Sequence, residues 1–512
     1  MENTNEKSLL IRFLDRIERV GNKMPSPVMI FIMLCGVVLV LSSLLAFMGV
    51  EAVNPVDQTV IKVENLLTGP NIARMFEQGI ANFASFPALG IVLVVMLGIG
   101  LAEKSGYFEK LLTQIIEIAP GNIIIWVIIF IGILGNVAGD AAPIVLPPLA
   151  AMAFLKLGYN PIAGAILGYA TPLAAFAANI FLGMSDALVF AFTQPAAEML
   201  NPDIQLNVAM NYYFIAASTP VLMLVVYFVL KRYSMKRLGD YDPTDATIDI
   251  STEAVQLTAE EKKALKWANI SLLIVLAVIG LLTVLPVPYG ILRNQETGSF
   301  MSHSPLMNGI GIIMTLIFFV PGLVYGLKAK TIKNSHDFSD MMSASMASMS
   351  SFIVIVFFSS QMMAYFNWSN MGSVVAIKGA EMLQGSNGIV LIIGFILVSA
   401  FIDFFIGSAS AKWAILAPIF VPMFMLLGYH PAFTQMLYRI GDGFINPLTP
   451  MQAYIPLVLS VMKRYDKKAG LGTLMSNVLP YSVAIAVVWT LMIIGWYLLG
   501  LPLGPDSPVY LN

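Results

Sequence analysis

The feature that most constrains this chain is a succession of apolar runs, each close to the length of a membrane-spanning helix. Residues 28–50 form the first, with no charged side chain. About 20 consecutive apolar residues are needed to cross the ~30 Å hydrocarbon core of a bilayer. Further candidates follow at 87–102, 122–134, 212–230, 267–285, 306–325, 343–365, 388–404 and 478–499. Segments 135–155, 161–192, 407–427 and 431–461 are also apolar but are too interrupted by Gly and Pro to be simple spans. Of all residues, 58% are hydrophobic and 11% charged, against about 45–50% and about 25% in a soluble chain. That few polar side chains cannot cover a water-exposed surface, so the remaining apolar surface must face lipid. An all-α polytopic membrane protein is expected.

Basic residues sort by side. Lys231, Arg232, Lys236, Arg237, Lys262, Lys263 and Lys266 share one linker; Lys328, Lys330 and Lys333 a second; Lys463, Arg464, Lys467 and Lys468 a third. The opposing linkers carry only Lys62 and Arg293. The N-terminus, an amphipathic segment over 1–27, is therefore expected in the cytoplasm, and the Gly- and Pro-rich tail 500–512 in the periplasm. Opposite ends imply an odd number of complete spans, about nine by this reading. The first run is longer than the about 7–15 apolar residues of a cleavable signal, and no Ala-x-Ala site follows, so it reads as a retained helix. This is the pattern of a multi-pass protein of a bacterial inner membrane, with the lipid bilayer as its main surroundings. A formal net charge of −2 offers no electrostatic case for nucleic acid. The single cysteine, Cys35, excludes an intramolecular disulfide and reads as a small packing hydrophobe.

The polar linker 240–266 joins two membrane halves, 28–239 and 267–499, and the halves are related. Residues 138–161 (AGDAAPIVLPPLAAMAFLKLGYNP) align without gaps on 408–431 (SASAKWAILAPIFVPMFMLLGYHP), with eight of 24 positions identical. Both copies end in Leu-Gly-Tyr-x-Pro. An internal repeat of this kind signals a duplicated membrane unit. Each copy begins with small and polar residues and carries Pro near its middle, so each reads as two half-helices folded back into the membrane, near 135–155 and 405–427. A second interrupted segment follows each. The first carries Phe176-Ala177-Ala178-Asn179 and Asp186; the second carries Arg439, Asp442, Asn446 and Pro450. Paired interrupted segments in corresponding positions point to a transport site near the bilayer midplane. Non-helical backbone is tolerated there only where it is buried or lines a cavity.

Charges inside apolar segments cost about 2.5–3.5 kcal/mol each on insertion scales, yet Asp140, Asp186, Lys412, Arg439 and Asp442 lie within or beside such segments. Arg439 and Asp442 are three apart, on one helical face. They fit either a structural ion pair or a site in which the Arg fork meets a carboxylate while Asp442 orients it or binds a cation. Gly139-Asp140 and Gly407-Ser408-Ala409-Ser410 open the two hairpin tips, where half-helix N-termini suit anions. Ser408 and Ser410 are candidate polar contacts or simple caps. Asp140 and Asn179 offer oxygens suited to sodium, or serve as caps. Trp413 could stack on an aromatic ring or simply pack.

Enzyme readings fare poorly. There is no HExxH and no P-loop. Of the three histidines, His303 and His336 lie in polar linkers and His430 at the Tyr-x-Pro break. Gly139-Asp140 and Gly441-Asp442 resemble the Gly-Asp pair of intramembrane aspartyl proteases, but Val137 and Arg439 stand where a GxGD pattern needs Gly.

Several stretches are more specific. Arg19-Val20-Gly21-Asn22-Lys23-Met24-Pro25, Gly139-Asp140-Ala141-Ala142 with Leu146-Pro147-Pro148, and Asn367-Trp368-Ser369-Asn370-Met371-Gly372 are three of them. Two more are the run from Ala414 through Pro418 to Pro422-Met423 and the closing Gly500-Leu501-Pro502-Leu503-Gly504-Pro505. Together they resemble the aminobenzoyl-glutamate transporter family from about Arg19 to the C-terminus. The resemblance implies homodimers with nine spanning helices and two re-entrant hairpins per protomer, an inverted repeat, and separate scaffold and transport domains. It implies uptake of p-aminobenzoyl-glutamate, a folate breakdown product, or export of sulfonamides. It further implies that Asp186, Ser410, Trp413, Pro431, Arg439, Asp442 and Pro450 are needed for transport. The chain departs from the pattern after Asp442, where Gly443-Phe444 replaces a polar Ser pair and Pro447 follows Asn446 directly.

The expectation is an ion-coupled secondary transporter of a small aromatic carboxylate, working by alternating access, with no cofactor beyond a bound Na+ or a proton. Arg439 would meet a substrate carboxylate, Trp413 the aminobenzoyl ring, and Ser408 and Ser410 further polar groups. Asp140, Asn179 and Asp442 would serve ion coupling, and Asp186 either network. A proton-driven exporter of sulfonamide antimetabolites is the alternative. A passive channel fits less well, because a channel needs no occluded midplane site.

Overall fold

The structure, a computed structural model, describes residues 25, 27–53, 59–86, 89–121, 123–135, 141–246, 257–300, 304–403, 406, 408–449, 452 and 454–511. The amphipathic segment expected before residue 25, Asp140 and Pro450 lie outside the described residues. In chain order the main helices begin with α1 (Pro27–Phe47), α2 (Gly69–Ala84), α3 (Leu89–Lys104), α4 (Tyr107–Ile118) and α5 (Ile124–Leu134). They continue with α6 (Ala141–Lys156), α7 (Pro161–Ala174), α8 (Met184–Glu198), α9 (Tyr212–Leu238) and α10 (Ala259–Val284). Then come α11 (Ile310–Lys328), α12 (Ser335–Ser348), α13 (Ser350–Trp368), α14 (Met371–Leu383) and α15 (Gly388–Asp403). The last are α16 (Ala409–Leu426), α17 (Pro431–Ile445), α18 (Ile455–Tyr465) and α19 (Leu471–Leu498). A short antiparallel hairpin, β1 (Glu51–Val53) with β2 (Val60–Lys62), follows α1.

Among the described residues, seven helical stretches are long and apolar enough to cross a membrane: Val28–Phe47, Tyr212–Leu238, Ala259–Val284, Ile310–Lys328, Ser335–Trp368, Ala409–Leu426 and Leu471–Leu498. Six coincide with expected spans. The remaining three expected spans fall on shorter helices: α3 and α15 have 16 residues each and α5 has 11. At 1.5 Å per residue, an 11-residue helix covers only about 17 Å, roughly half the hydrocarbon core. The helix α10 also starts earlier than expected. Thr258 caps it by accepting from the Glu261 N–H at 3.2 Å, so Lys262, Lys263 and Lys266 are helical rather than part of a linker.

The expected breaks in the middle of 135–155 and 407–427 are not present. Both α6 and α16 run through their internal prolines, Pro147-Pro148 and Pro418 with Pro422. Each Pro removes one N–H from the helical ladder, and these apolar, well-buried helices tolerate the loss. Helix α5 precedes α6 and α15 precedes α16 in the chain, and residues 136–140, 404, 405 and 407 between them lie outside the described residues.

The repeat is reproduced in local geometry. Gly158 and Gly428 both take the left-handed conformation, with φ of 75° and 88°. The Tyr159 N–H donates to Phe154 O, and the Tyr429 N–H to Phe424 O, both at 2.9 Å. This is a helix stop with a six-to-one bond at a left-handed Gly. In both copies the Tyr ring covers that Phe, with centroids 5.9 and 5.8 Å apart. The next residue, Asn160 or His430, caps a helix whose first residue is Pro161 or Pro431. The Leu-Gly-Tyr-x-Pro signature is thus one stop–start device used twice. The tail closes over the second copy: the His430 N–H donates to Val509 O, and the Leu511 N–H to Gly428 O, both at 2.9 Å.

The helices of the interrupted segments lie in the interior. Every residue of α7 and every residue of α17 is buried. By contrast, α10 leaves Leu273, Leu281 and Val284 more than half exposed, as a lipid-facing helix requires. Two glycines let α17 sit in its slot. A Cβ on Gly441 would lie 2.6 Å from Ile396 O of α15, and one on Gly443 would lie 3.0 Å from the Trp489 ring of α19 and 3.1 Å from Ala174 O of α7. A helix so enclosed that still carries Arg439 and Asp442 must find a partner for each of those charged groups.

Candidate functional site

Arg439 finds its partner on α8. Asp186 lies in the first turn of α8, after the break that ends at Gly183, and one carboxylate oxygen accepts the Gly183 N–H at 2.7 Å. Its other oxygen, Oδ1, lies 2.7 Å from Arg439 Nη1, and Arg439 Nη2 reaches Ser185 Oγ at 3.4 Å. Asp186 is 2% exposed and Arg439 3%. The same-helix pairing of Arg439 with Asp442, suggested by their spacing, is replaced by this cross-helix pair.

Asp442 turns instead to Lys412 of α16, whose Nζ lies 2.5 Å from Asp442 Oδ1. Lys412 also pairs with Asp403, the last residue of α15. The three side chains are almost fully buried. Asn446 donates to Asp442 Oδ2 at 3.2 Å, and Tyr438 OH lies 3.2 Å from Oδ1. Two ionic links therefore tie α17 to its neighbours, one to α8 and one through Lys412 to α16 and α15. A buried pair of this kind must be kept whole, because removing one partner strands the other in a medium that cannot solvate it.

Trp413 stands next to Lys412 and is fully buried. Its ring stacks on Tyr438, with centroids 4.5 Å apart and planes 22° apart. Its indole N–H donates to Thr193 Oγ1 of α8 at 2.7 Å. At the N-terminus of α16, Ser408 caps the helix by accepting the Ala411 N–H at 3.4 Å, and its hydroxyl lies 3.3 Å from that of Ser410. The Tyr438 hydroxyl donates to the Ala409 carbonyl at 2.5 Å, which fastens this tip to α17. Pro431 is the buried first residue of α17. The structure thus brings Asp186, Ser408, Ser410, Trp413, Arg439 and Asp442 onto three adjoining helices, α8, α16 and α17, with Pro431 opening the last.

The hydrogen bonds of Asn179 go elsewhere. Its Oδ1 accepts the Phe181 N–H at 3.0 Å, a local turn, and its Nδ2 donates to Leu134 O at 3.4 Å at the end of α5. It links the break before α8 to the end of α5. Among the described residues no three His, Cys, Asp or Glu side chains are grouped as a metal site would need.

Four participants were not singled out by the sequence. Asp403 ends an apolar stretch read as a plain span; a lone carboxylate there is the signal that could have found it. Thr193, Gln435 and Tyr438 are polar residues on interrupted segments, but nothing in their spacing distinguishes a site from a cap. A cavity of about 280 Å³ lies toward the far end of α8, bordered by Asn82, Phe86, Glu198, Asn367 and Trp368.

Comparison with known proteins bears on the family and the fold. The AbgT putative transporter family matches residues 12–511. The p-aminobenzoyl-glutamate transport protein of Escherichia coli (strain K12) is 39% identical over 492 residues, covering 96% of this chain and 95% of that protein. The solved YdaH transporter of Alcanivorax borkumensis superposes with a TM-score of 0.88 at 36% identity, over 94% of this chain and all of that one. MtrF of Neisseria gonorrhoeae, described as illuminating a class of antimetabolite efflux pumps, superposes with a TM-score of 0.90 at 38% identity, over 97% of this chain and all of that one.

Proposed function

The chain belongs to the AbgT family of membrane transporters, and from that premise we propose that it carries p-aminobenzoyl-glutamate or a related aromatic carboxylate across the bacterial inner membrane by ion-coupled alternating access. It is a multi-pass transporter and not an enzyme. The observation that carries the proposal is the buried Asp186–Arg439 pair at 2.7 Å, set between interrupted segments beside Trp413. A guanidinium offers five N–H donors in a fixed fork. Here part of that fork is already held by a carboxylate of the chain itself, so a substrate carboxylate binds by sharing or displacing Asp186.

Trp413 and Tyr438 supply an aromatic stack next to Arg439, suited to an aminobenzoyl ring whose acid group Arg439 holds. Both rings are buried, so the substrate reaches them only when α8 and α16 part. Ser408 and Ser410 at the tip of α16 supply further polar contacts, and Pro431 and Pro450 are also assigned a part in transport. Asp442 (with its Lys412 counter-ion), Asp140 and Asn179 are the groups to which we assign coupling to sodium or protons. The protomer works as a homodimer with its N-terminus in the cytoplasm.

A second reading keeps the site and reverses the direction, as a proton-driven exporter of sulfonamide antimetabolites. It is supported by the likeness to MtrF and by the aniline ring that the two ligand classes share. Calorimetric titration of the detergent-solubilised chain separates them. The first reading expects p-aminobenzoyl-glutamate to bind, and Arg439→Ala to lose that binding while a neutral sulfonamide binds alike to both proteins. Binding of the sulfonamide alone would favour the second.

A further inference from the structure

The indole of Trp413 is the start of a directed chain of buried hydrogen bonds that joins three helices and the residue capping a fourth. Trp413 Nε1 has one proton and no acceptor capacity, so at 2.7 Å it donates to Thr193 Oγ1. The Thr193 hydroxyl lies 2.5 Å from Gln435 Oε1. The alternative acceptor for its single proton, the Val189 carbonyl one turn back on α8, is farther away at 3.1 Å. Gln435 Nε2 donates to Asn211 Oδ1 at 2.6 Å, and Asn211 Nδ2 to the Ala432 carbonyl at 2.7 Å. Thr193 is fully buried, and Asn211 and Gln435 are 1% exposed. Each amide orientation is fixed by its neighbours, because reversing one would set two donors or two acceptors face to face. A fully satisfied buried network of this kind holds its members in one arrangement.

We propose that Thr193 is the positioning residue of Trp413: its hydroxyl takes the indole N–H and, through Gln435 and Asn211, fixes the plane of the ring relative to Arg439. The proposal rests on the reading that this site carries an aromatic carboxylate. The placement is what gives the relay a part in specificity. Thr193 is on the same helix as Asp186, and Gln435 is one turn before Arg439 on α17. The pairs Asp186–Arg439 and Thr193–Gln435 are therefore two cross-links between the same two helices, one ionic and one neutral. The ionic link sets the carboxylate-binding group; the neutral one sets the ring that stacks on Tyr438 4.5 Å away. A ligand with an aromatic ring at one end and an acid group at the other is measured against both.

The test uses the full-length chain in proteoliposomes, with uptake of labelled p-aminobenzoyl-glutamate as the functional readout. The protein is also labelled with 5-fluorotryptophan. Its six tryptophans give six fluorine resonances, and the one missing from Trp413→Phe reports on this ring. In Thr193→Val, which keeps the shape but removes donor and acceptor, KM rises about tenfold while the maximal rate stays within about twofold. The Trp413 resonance shifts and the other five do not. Thr193→Ser restores both KM and the resonance. Should Thr193→Val fail to fold, Gln435→Met interrupts the same relay one step further on and is expected to move KM and the Trp413 resonance in the same direction. Wild-type uptake with KM and the Trp413 resonance unchanged in Thr193→Val, or in Gln435→Met if that variant is the one used, would overturn the positioning role and leave the transport reading standing. Absence of wild-type uptake would overturn the transport reading itself.

Discussion

Asp186 and Arg439 are separated by 253 residues in sequence and by 2.7 Å in the fold. They stand on the two interrupted segments, one from each half of the chain, so the contact joins the halves at the buried centre of the protein. A salt bridge in such a place is weak support for stability in itself, because desolvation offsets much of the attraction. Its significance is that each charge commits the other.

Breaking that pair should therefore cost more than removing it. Asp186→Ala or Arg439→Ala alone is expected to destabilise the protein by about 3–5 kcal/mol. The double variant should lose clearly less than the sum of the two. Thermal unfolding of the four proteins in one detergent checks this as a double-mutant cycle. Simple additivity would mean that the two side chains do not interact.

Lys412 is the counter-ion of two carboxylates, Asp403 and Asp442. Lys412→Met leaves both unpaired in the interior, and the expected loss is again about 3–5 kcal/mol. Adding Asp403→Asn to Lys412→Met removes one of the two stranded charges and should recover part of that loss. A double variant no more stable than the single one would contradict the pairing.

Gly443 stands where the family resemblance led to an expectation of Ser. A Cβ there would meet the Trp489 ring at 3.0 Å and Ala174 O at 3.1 Å. Gly443→Ser should therefore cost about 1–3 kcal/mol through overpacking. A melting temperature equal to that of the unsubstituted chain would show that α17 has room to shift.

The two helix stops should respond alike. Gly158→Ala and Gly428→Ala each force a Cβ into the left-handed region, at about 1–2 kcal/mol. With no steric contact within 4 Å at either glycine, the two losses should agree. A large difference would mean that the repeat is one of sequence only.

How much of this was legible in the sequence follows from what each signal reports. Apolar run length reported the membrane class and six of the long helices directly, because crossing a bilayer is a length requirement. The repeat was legible through Leu-Gly-Tyr-x-Pro, since a left-handed Gly followed by a capped Pro-first helix is local chemistry. The continuity of α6 and α16 was not, because Pro147 and Pro418 weaken the helical ladder without breaking it. The charged site residues were legible one by one as costly side chains, but their pairings were not. Arg439 had a same-helix partner in Asp442 at suitable spacing, and only the fold shows that α8 brings Asp186 closer. Asp403 was hidden at the end of a run that length alone explained.

The most direct test of the central claim is uptake of labelled p-aminobenzoyl-glutamate into proteoliposomes, with sodium and proton gradients imposed separately, by the wild type and by Arg439→Ala shown to be folded. The account predicts accumulation driven by one of the two gradients and lost in the variant. No uptake by folded wild-type protein under either gradient, or undiminished uptake by Arg439→Ala, would contradict it.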